Sequence, residues 1–432
     1  MASQFLSSCS PGKRLLRAVP RIAGVSTSVL MGFLCAAIAP PAGAQFLIRP
    51  SPGEEQVRLM PSDLTILESG DARKDLPCVV TQRKPELGFD LRFHGGYEVT
   101  LPLRELAGAG EMLTVLFRVS SQGPPATSAY FVQHYRVPAI DDDAKGAAVL
   151  QGVIDLGEGK YHVDWMMRDR EERICSSGWD VEATLPPKDK PIPLFIGPSE
   201  VAETLPEPFV NDATRSSLNR TDNLELKLLV NFAPQNSLSA ALERSDTDAL
   251  VSILKAIQRD PRVARISLIA FNIDETRVIY RQDAAEQIDF PALGHALHSI
   301  KPGTVTVAHL GQPHSRTDFL QELIEKEVGT SAHPDAVIFA GPKAMLDADV
   351  PQDDLRRIGN IECPVFYMNY NLNPQAVPWK DSISHAIRAF KGTEFTISRP
   401  RDLWFSTTEM FNRIIRNKRQ RVVATAAAGA SN

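Results

Sequence analysis

The hydrophobic pattern divides the chain into a leader, a region of short strands, and a region of alternating strands and helices. Residues 76–186 contain short runs rich in aromatic and β-branched side chains, such as 130–137 and 161–168, separated by clusters of turn residues. Runs of this length and spacing are typical of packed antiparallel sheets. This region therefore predicts a β-sandwich domain.

From residue 221 the pattern changes to alternating strands and helices. Residues 224–231 and 336–340 are apolar strands, and residues 246–257 have the apolar spacing of a helix. Alternation of this kind predicts a doubly wound α/β domain over residues 221–416, with a mainly parallel sheet. The preceding β-sandwich, at about 110 residues, has the size of an immunoglobulin-like module.

Three other segments lack a clear period. Residues 45–75 are proline-rich and mixed, so we expect an irregular N-terminal segment. Residues 187–220 start with several prolines and are expected to be a linker. Residues 417–432 are basic and then small and polar, which predicts a disordered tail.

Residues 1–44 have the features of a signal peptide. An apolar run at 22–39 and the small residues 42–44 follow a basic stretch without acidic residues. The basic residues are Lys13, Arg14, Arg17 and Arg21. We expect cleavage before Gln45 and a secreted or periplasmic protein. An uncleaved anchor is the alternative, although a run of about 18 residues is at the short limit for a membrane span.

Composition and charge exclude several classes of protein. The 432 residues are 43% hydrophobic and 23% charged, which excludes global disorder and is enough for two or three domains. Only one segment approaches spanning length, which excludes a membrane transporter. The formal net charge is −5, and without the four basic residues of the leader it is −9. This charge disfavours nucleic acid as a partner.

Cleavage of the leader would leave three cysteines. Cys78 and Cys175 lie in the same predicted domain, and an exported compartment permits a disulfide between them. The sequence leaves open whether that bridge forms. Cys363 stands at the start of an apolar strand without a neighbouring base, so we interpret it as a buried, unreactive thiol.

The C-terminal region resembles the von Willebrand factor type A domain. Residues 263–272 followed by 276–279 look like the second and third strands of that family, joined by a tight polar turn. The order of elements over residues 224–415 is similar as well. The resemblance implies a doubly wound α/β fold with a Mg²⁺ or Mn²⁺ site at the carboxyl ends of the central strands.

The residues aligned with the family's metal motif depart from it. The family has Asp-x-Ser-x-Ser after its first strand, whereas this chain has Asn231, Ala233 and Gln235. Thr317 fits the loop threonine, and Gly341 follows an alanine where the family often has Thr-Asp-Gly. A hard dication held by neutral groups alone binds weakly. We therefore expect no metal and no cofactor.

The leading hypothesis is a non-catalytic protein that binds or scaffolds another envelope or secreted protein. In open α/β sheets the loops at the carboxyl ends of the strands are the usual ligand site. The candidate contact residues there are Asn231, Gln235, Ser237, Thr317, Asp318 and Gly341. Asp318 follows Thr317 at a helix start, where an acid is more often a cap than a ligand.

Two alternatives remain open. A metal-dependent hydrolase would use a cluster of histidines together with Asp318 to hold zinc or copper. Those histidines are His295, His298, His309 and His314. A sugar-binding module would instead use exposed Trp165 or Trp179 on the β-sandwich. The chain contains no Gly-x-Ser-x-Gly, Walker or His-Glu-x-x-His motif to favour an enzyme.

Overall fold

The computed structural model describes an all-β region and an α/β region. Its described residues are 46–48, 60–124, 126–204, 208–211, 222–236, 239, 242–298, 314–329, 334–358, 361, 363–372 and 380–429. The leader at 1–44 lies outside them, so the signal peptide remains a prediction. Within the described part no helix is both long and apolar enough to cross a membrane.

Two antiparallel sheets pack face to face in the N-terminal half. One has the strand order β1-β5-β4-β7-β8 and the other β2-β3-β6-β9. The strands are β1 (Phe46–Ile48), β2 (Val79–Leu87), β3 (Phe93–Pro102), β4 (Glu111–Ser121), β5 (Ser128–Val137), β6 (Ala147–Leu156), β7 (Gly159–Arg168), β8 (Ile174–Ala183) and β9 (Val201–Ala202).

Alternating side chains of both sheets form one core. Tyr97 of β3 packs against Trp165 of β7 with ring centroids 5.2 Å apart, and Phe117 of β4 stacks on Phe131 of β5 at 5.0 Å. All four are buried. The period-2 pattern thus gives the apolar contacts between the sheets. Because Trp165 is buried and Trp179 packs partly against the same core, the two indoles do not form an exposed sugar-binding pair.

A disulfide joins the two sheets. Cys78 directly precedes β2 of one sheet, Cys175 lies in β8 of the other, and their Cα atoms are 6.2 Å apart. Cys363 is a free thiol that is half-buried rather than fully buried as expected, and this burial raises its pKa. A raised pKa lowers the thiolate fraction at neutral pH, which agrees with an unreactive cysteine.

The C-terminal half contains the mainly parallel sheet that the alternation predicts. Its order is β12-β11-β10-β13-β14-β15, and β12 is its antiparallel strand. The strands are β10 (Leu224–Asn231), β11 (Val263–Asn272), β12 (Arg277–Ala285), β13 (Ala336–Pro342), β14 (Val365–Tyr370) and β15 (Thr393–Ile397). From β10 the next two strands are added on one side of the sheet, and β13 to β15 are added on the other side. The boundary between β10 and β13 is therefore the topological switch point.

Helices cover both faces of this sheet. They are α2 (Arg244–Gln258), α3 (Phe290–His298), α4 (Ser315–Val328), α5 (Gln352–Arg357), α6 (Ser382–Arg388) and α7 (Pro400–Gly429). Val230 packs in the core under α2 and α7, whereas its neighbour Leu229 packs in the core under α4 and α6. Helix α2 begins with a reciprocal cap in which Glu243 and Asp246 bind each other's backbone N–H.

Two segments expected to be irregular have regular structure. Within 45–75, β1 pairs with β5, and helix α1 (Pro61–Ser69) buries Leu67 against the outer side of the first sheet. Within 187–220, β9 pairs with β6, and Phe209 joins the α/β core. A few apolar contacts therefore order parts of both segments, although neither segment has a period in its own sequence.

The tail predicted to be disordered from 417 continues helix α7 as far as Gly429. Two of its basic residues are anchored: Lys418 Nζ lies 2.7 Å from Asp335 Oδ2, and Arg421 Nη2 lies 3.1 Å from Asp335 Oδ1. Lys418 also donates to the carbonyl of Asn223. Composition alone cannot reveal an acidic partner 83 residues away.

Replacing Asp335 with alanine is expected to loosen the last turns of α7. Asp335 is buried and pairs with two cations, so its loss should cost about 2 kcal/mol of unfolding free energy. Hydrogen exchange should accelerate over 416–423 and stay unchanged in α4. Equal protection of 416–423 in both proteins would show that the anchor is unimportant.

Candidate functional site

The carboxyl edge of the parallel sheet is formed where β10 and β13 end side by side. Asn231 is the last residue of β10 and is 1% exposed. Its Oδ1 accepts a hydrogen bond from the N–H of Ile273, 3.1 Å away in the turn after β11. Its Nδ2 is buried and has no hydrogen-bond partner within the described structure. Asn231 therefore holds a neighbouring loop and keeps one donor unused.

Gly341 of β13 lies directly beside Asn231. Its φ of 151° is rare for residues with a side chain, and a Cβ there would lie 2.8 Å from the Cβ of Asn231. On its other side Gly341 pairs in register with Asn369 of β14. Asn369 is fully buried, donates to Glu394 at 2.6 Å, and has an unpartnered Oδ1. A glycine thus separates two buried amides along the edge.

Gln235 connects two loops of this edge. It is 5% exposed, and its Oε1 accepts from the N–H of Leu372, 2.9 Å away in the loop after β14. Its own backbone N–H binds the carboxylate of Asp246 in the first turn of α2. Burial raises the pKa of Asp246, and hydrogen bonds from Glu243 and Gln235 oppose that rise. Gln235 is therefore a structural link between loops.

Thr317 and Asp318 begin helix α4 but face different surroundings. Thr317 is buried, and its Oγ1 donates to the carbonyl of Ala348 at 2.7 Å. Asp318 is exposed in the first turn of the helix. Ser237 lies outside the described residues. The structure thus gathers Asn231, Gln235, Thr317 and Gly341 at one edge as buried supports, with Asp318 as an accessible group.

An arginine that the sequence analysis missed joins two loops at this edge. Arg316 Nη1 lies 3.2 Å from Asp274 Oδ1 in the turn after β11, and Arg316 Nη2 lies 3.4 Å from Asp347 Oδ2 in the loop after β13. Arg316 directly precedes the candidate residue Thr317 in the sequence. Its two acidic partners are 42 and 31 residues away in the chain, so no local pattern indicated the ion pairs.

The described residues of the edge do not fit the divalent metal site that the family resemblance implies. Its buried ligand positions carry amide, hydroxyl and glycine groups, and two of its carboxylates, Asp274 and Asp347, already bind a guanidinium. Mg²⁺ and Mn²⁺ prefer anionic oxygen ligands. We therefore derive no metal chemistry at this site.

A second polar group lies where helix α6 meets β14. Asp381 caps α6 by accepting from the N–H of Ile383 at 3.1 Å and also accepts from Ala344 at 3.3 Å. Burial raises the pKa of Asp381 to about 6 despite these bonds. Its Oδ2 has no hydrogen-bond partner within the described structure. Burial thus brings the pKa of Asp381 closer to neutral pH than that of a free aspartate.

The histidines proposed for a hydrolase do not form a metal-ligating group among the described residues. His295 and His298 lie on α3, where the His298 ring meets the edge of Phe209 at 6.2 Å, and His314 precedes α4. His309 lies outside the described residues. The ligand set that the described structure does bring within metal-binding distance is Asp90, His94 and Asp155.

Those three residues form an ionic network on the β-sandwich. His94 Nδ1 lies 2.8 Å from Asp155 Oδ1, and His94 Nε2 lies 2.9 Å from Asp90 Oδ1. Arg92 approaches the second oxygen of each carboxylate, at 3.4 Å and 3.8 Å. Two cations balance two carboxylates, so a metal would have to displace the His94 proton. The arrangement favours a bound proton over a metal ion.

Comparisons with known proteins leave the family of this chain unassigned. No family model matches the chain, and no curated protein matches it. Among solved structures it is similar to proximal thread matrix protein 1 of the mussel byssus, with 9% identity, a TM-score of 0.28, and coverage of 43% of this chain and 46% of that one. It thus spans less than half the length of that protein.

Two other solved structures show similarly low likeness. The PilB minor pilin from Streptococcus sanguinis, as an aspartate-to-alanine mutant, has 7% identity and a TM-score of 0.27, covering 69% of this chain and 87% of that one. A calcium-binding mutant of β-glucuronidase 2 from Bacteroides uniformis has 9% identity and a TM-score of 0.16, covering 73% and 38%. At such TM-scores these likenesses carry no functional argument.

The stabilisation from His94 is expected to disappear in alkaline solution. Burial opposes its charge, but hydrogen bonds to Asp155 and Asp90 outweigh burial and raise its pKa from 6.5 to about 10. The folded pKa exceeds the unfolded one, so the stabilisation is complete below pH 6.5 and is lost as the pH rises through 10. Because the imidazole is about one-third exposed and solvent screens its charge, we expect the stabilisation to contribute about 2 kcal/mol to the free energy of unfolding.

Urea unfolding of wild type and His94→Gln at pH 6.5, 8 and 10 measures this effect. The difference in the free energy of unfolding between wild type and His94→Gln should decrease as the pH rises. The matched control is His162→Gln, since His162 also lies between two carboxylates, Asp164 and Asp180, but on an exposed surface. Parallel curves for wild type and His94→Gln across this range would exclude the ionic network as a source of stability.

Proposed function

We propose that this chain is an exported, non-catalytic binding or scaffold protein that contacts another envelope or secreted protein through the carboxyl edge of its α/β sheet. The single observation that carries the proposal is that the buried positions Asn231, Gln235, Thr317 and Gly341 of that edge carry uncharged groups. Asn231, Gln235 and Thr317 hold loops together through hydrogen bonds, which supports a rigid contact surface.

We further propose that the α/β region is a von Willebrand factor type A-like domain whose metal site is degenerate. In order along the chain, its six strands are arranged 3-2-1-4-5-6. The antiparallel strand follows its neighbour through the tight turn 273–276. Both features support the resemblance, and the switch point of such sheets is the usual ligand position.

For the β-sandwich we propose an immunoglobulin-like module. The seven strands β2–β8 divide into three and four between the two sheets. Seven antiparallel strands in two packed sheets are the architecture of that class. This module would serve as a spacer that presents the α/β edge, and it would supply no catalytic residue.

The accessible groups of the edge are charged. Asp318 and Asp347 are exposed, and Arg316 is about one-third exposed between Asp274 and Asp347. Charges at the rim of an interface set orientation and association rate more than affinity. The proposed partner would therefore meet Asp318 and Asp347 at the rim and pack on the rigid loops that Asn231 and Gln235 support.

Site-specific photo-crosslinking in intact cells tests this proposal. A photoreactive residue at Asp318 should give an adduct of one discrete mass, and the adduct should form equally in EDTA. Glu325 is the matched control, since it is an exposed acid at the other end of the same helix α4. The partner identified by mass spectrometry should then bind the purified chain at least tenfold more weakly when Asp318 and Asp347 are changed to arginine.

Two results would contradict the proposed contact surface. One is an equal adduct from Asp318 and Glu325, which would indicate random collisions. The other is an adduct from Asp318 whose partner binds the charge-reversed protein as tightly as wild type. Either result would remove the carboxyl edge as the binding surface.

A further inference from the structure

Two grooves flank helix α7 at the end of the sheet opposite the carboxyl edge. The wide groove, ≈ 930 Å³, lies between α7 and the starts of β10 and β11, and its lining includes Arg262, Arg416 and Arg419. The narrow groove, ≈ 220 Å³, lies between α7 and the starts of β14 and β15, and its lining includes Lys391 and Arg413. Arg416 and Gln420 line both, so one ridge of α7 separates them.

Several cations of these grooves lack an acidic partner. Lys391, Arg416 and Arg419 are exposed, and none forms an ion pair within the described structure. In contrast, Lys418 and Arg421 on the same helix bind Asp335. The unpaired cations are therefore a separate set, and they are fully available to a ligand.

The charge of the narrow groove has a single sign. Lys391, Arg413 and Arg416 line it, and none of its described lining residues is acidic. Arg413 is bound to Glu409 at 2.7 Å and donates to Thr393 at 3.3 Å, which fixes the position of its guanidinium. Because Glu409 balances Arg413, the unpaired positive charge of the narrow groove comes from Lys391 and Arg416.

Apolar side chains lie beside the cations. Phe390, which is half-buried, lines the narrow groove, and Ile415 and Val423 line the wide one. Val423 is 68% exposed, which is a high exposure for a large apolar residue in a helix. A ligand that matches both kinds of lining carries anionic groups together with apolar ones.

We propose that the two grooves beside α7 bind an acidic segment of a partner protein, with its carboxylates on Lys391, Arg416 and Arg419. Arginine suits carboxylates because its guanidinium binds both oxygens. A protein segment is favoured over a lipid surface because the cations line concave grooves bordered by Asp222 and Glu409, and those acids would repel a continuous anionic surface.

This second surface is independent of the carboxyl edge. The grooves open at the strand starts Val365 and Thr393, whereas Asn231 and Gly341 lie at strand ends. A chain with binding surfaces at both ends of one sheet can hold two partners at once. The inference therefore adds a second contact to the proposed scaffold and does not depend on the first.

Fluorescence anisotropy with the full chain tests the inference directly. The probe is a labelled twelve-residue peptide of alternating aspartate and leucine, and the neutral control peptide has asparagine in place of aspartate. The acidic peptide should bind, and Arg416→Glu with Arg419→Glu should raise its Kd at least tenfold. Raising the salt concentration from 50 to 300 mM should also weaken binding, by about tenfold, because exposed ion pairs are screened.

The matched control reverses two charges elsewhere. Arg136 and Arg170 of the β-sandwich are exposed and unpaired within the described structure, and changing both to glutamate should leave Kd within twofold. Equal binding of the acidic and neutral peptides, or equal weakening by both double variants, would overturn the proposal. So would co-sedimentation with phosphatidylglycerol vesicles that is lost in Arg416→Glu, since that result would indicate a lipid ligand. Asp318→Arg should leave peptide binding unchanged, which separates this test from that of the carboxyl edge.

Discussion

Replacing Cys78 and Cys175 together with serine is expected to lower the free energy of unfolding by about 4 kcal/mol. The disulfide closes a loop with a sequence separation of 97 residues, and longer loops lose more entropy when they are closed in the unfolded chain. It also joins the segment before β2 to β8 across the two sheets. Urea unfolding at neutral pH measures the difference.

Cys363→Ser is the matched control for the disulfide. That thiol is free and forms no part of the bridge, so the control should change the unfolding free energy by less than about 1 kcal/mol. Addition of dithiothreitol should destabilise wild type and leave the double serine variant unaffected. A double variant as stable as wild type would show that the two sheets hold together without the bridge.

Gly341→Ala is expected to lower the free energy of unfolding by about 3 kcal/mol. Backbone strain and steric overlap of the new Cβ combine at this position. The backbone φ of 151° is unfavourable for alanine, and the new Cβ would lie 2.8 Å from the Cβ of Asn231 and 3.0 Å from its carbonyl oxygen. Both neighbours belong to the end of β10, which cannot move without disturbing the sheet. Binding at the carboxyl edge should fall with stability.

Gly108→Ala separates the two causes. Gly108 also has a positive φ, 132°, but a Cβ there would meet nothing within 4 Å. Gly108→Ala should therefore lower the free energy of unfolding by only about 1 kcal/mol, the contribution of backbone strain without steric overlap. The difference between the two variants measures the close packing of Gly341 against Asn231. Equal losses would mean that the approach of β13 to β10 contributes nothing to stability.

The elements with strong local patterns could be predicted from the sequence. The continuous apolar run of β10 indicated a parallel strand that is buried on both faces. In the structure Leu229 and Val230 lie on opposite faces of the sheet, and helices cover both faces. The turn between β11 and β12 followed from its polar residues. These features depend on residues within a few positions of one another in the sequence, and hydrophobic periodicity reports on that range.

The features that depend on distant partners could not be predicted. Helix α7 is anchored through Asp335, and the His94 network joins residues 61 positions apart. The candidate residues at the carboxyl edge were found from the family resemblance and from the usual ligand position of such sheets, and the structure gives most of them a supporting role. Arg316, which joins two loops there, was missed because nothing local distinguishes an arginine that bridges from one that is solvated.

Thermal unfolding of the purified, EDTA-treated chain with and without millimolar Mg²⁺ or Mn²⁺ tests most directly whether the carboxyl edge acts without a metal. A ligand that binds only the native state raises the unfolding midpoint. We expect an unchanged midpoint, because Asn231, Gln235 and Thr317 offer neutral groups and Arg316 pairs with the carboxylates of Asp274 and Asp347. A saturable rise that Thr317→Ala abolishes would contradict this expectation, since it would show that the edge is a functioning metal site.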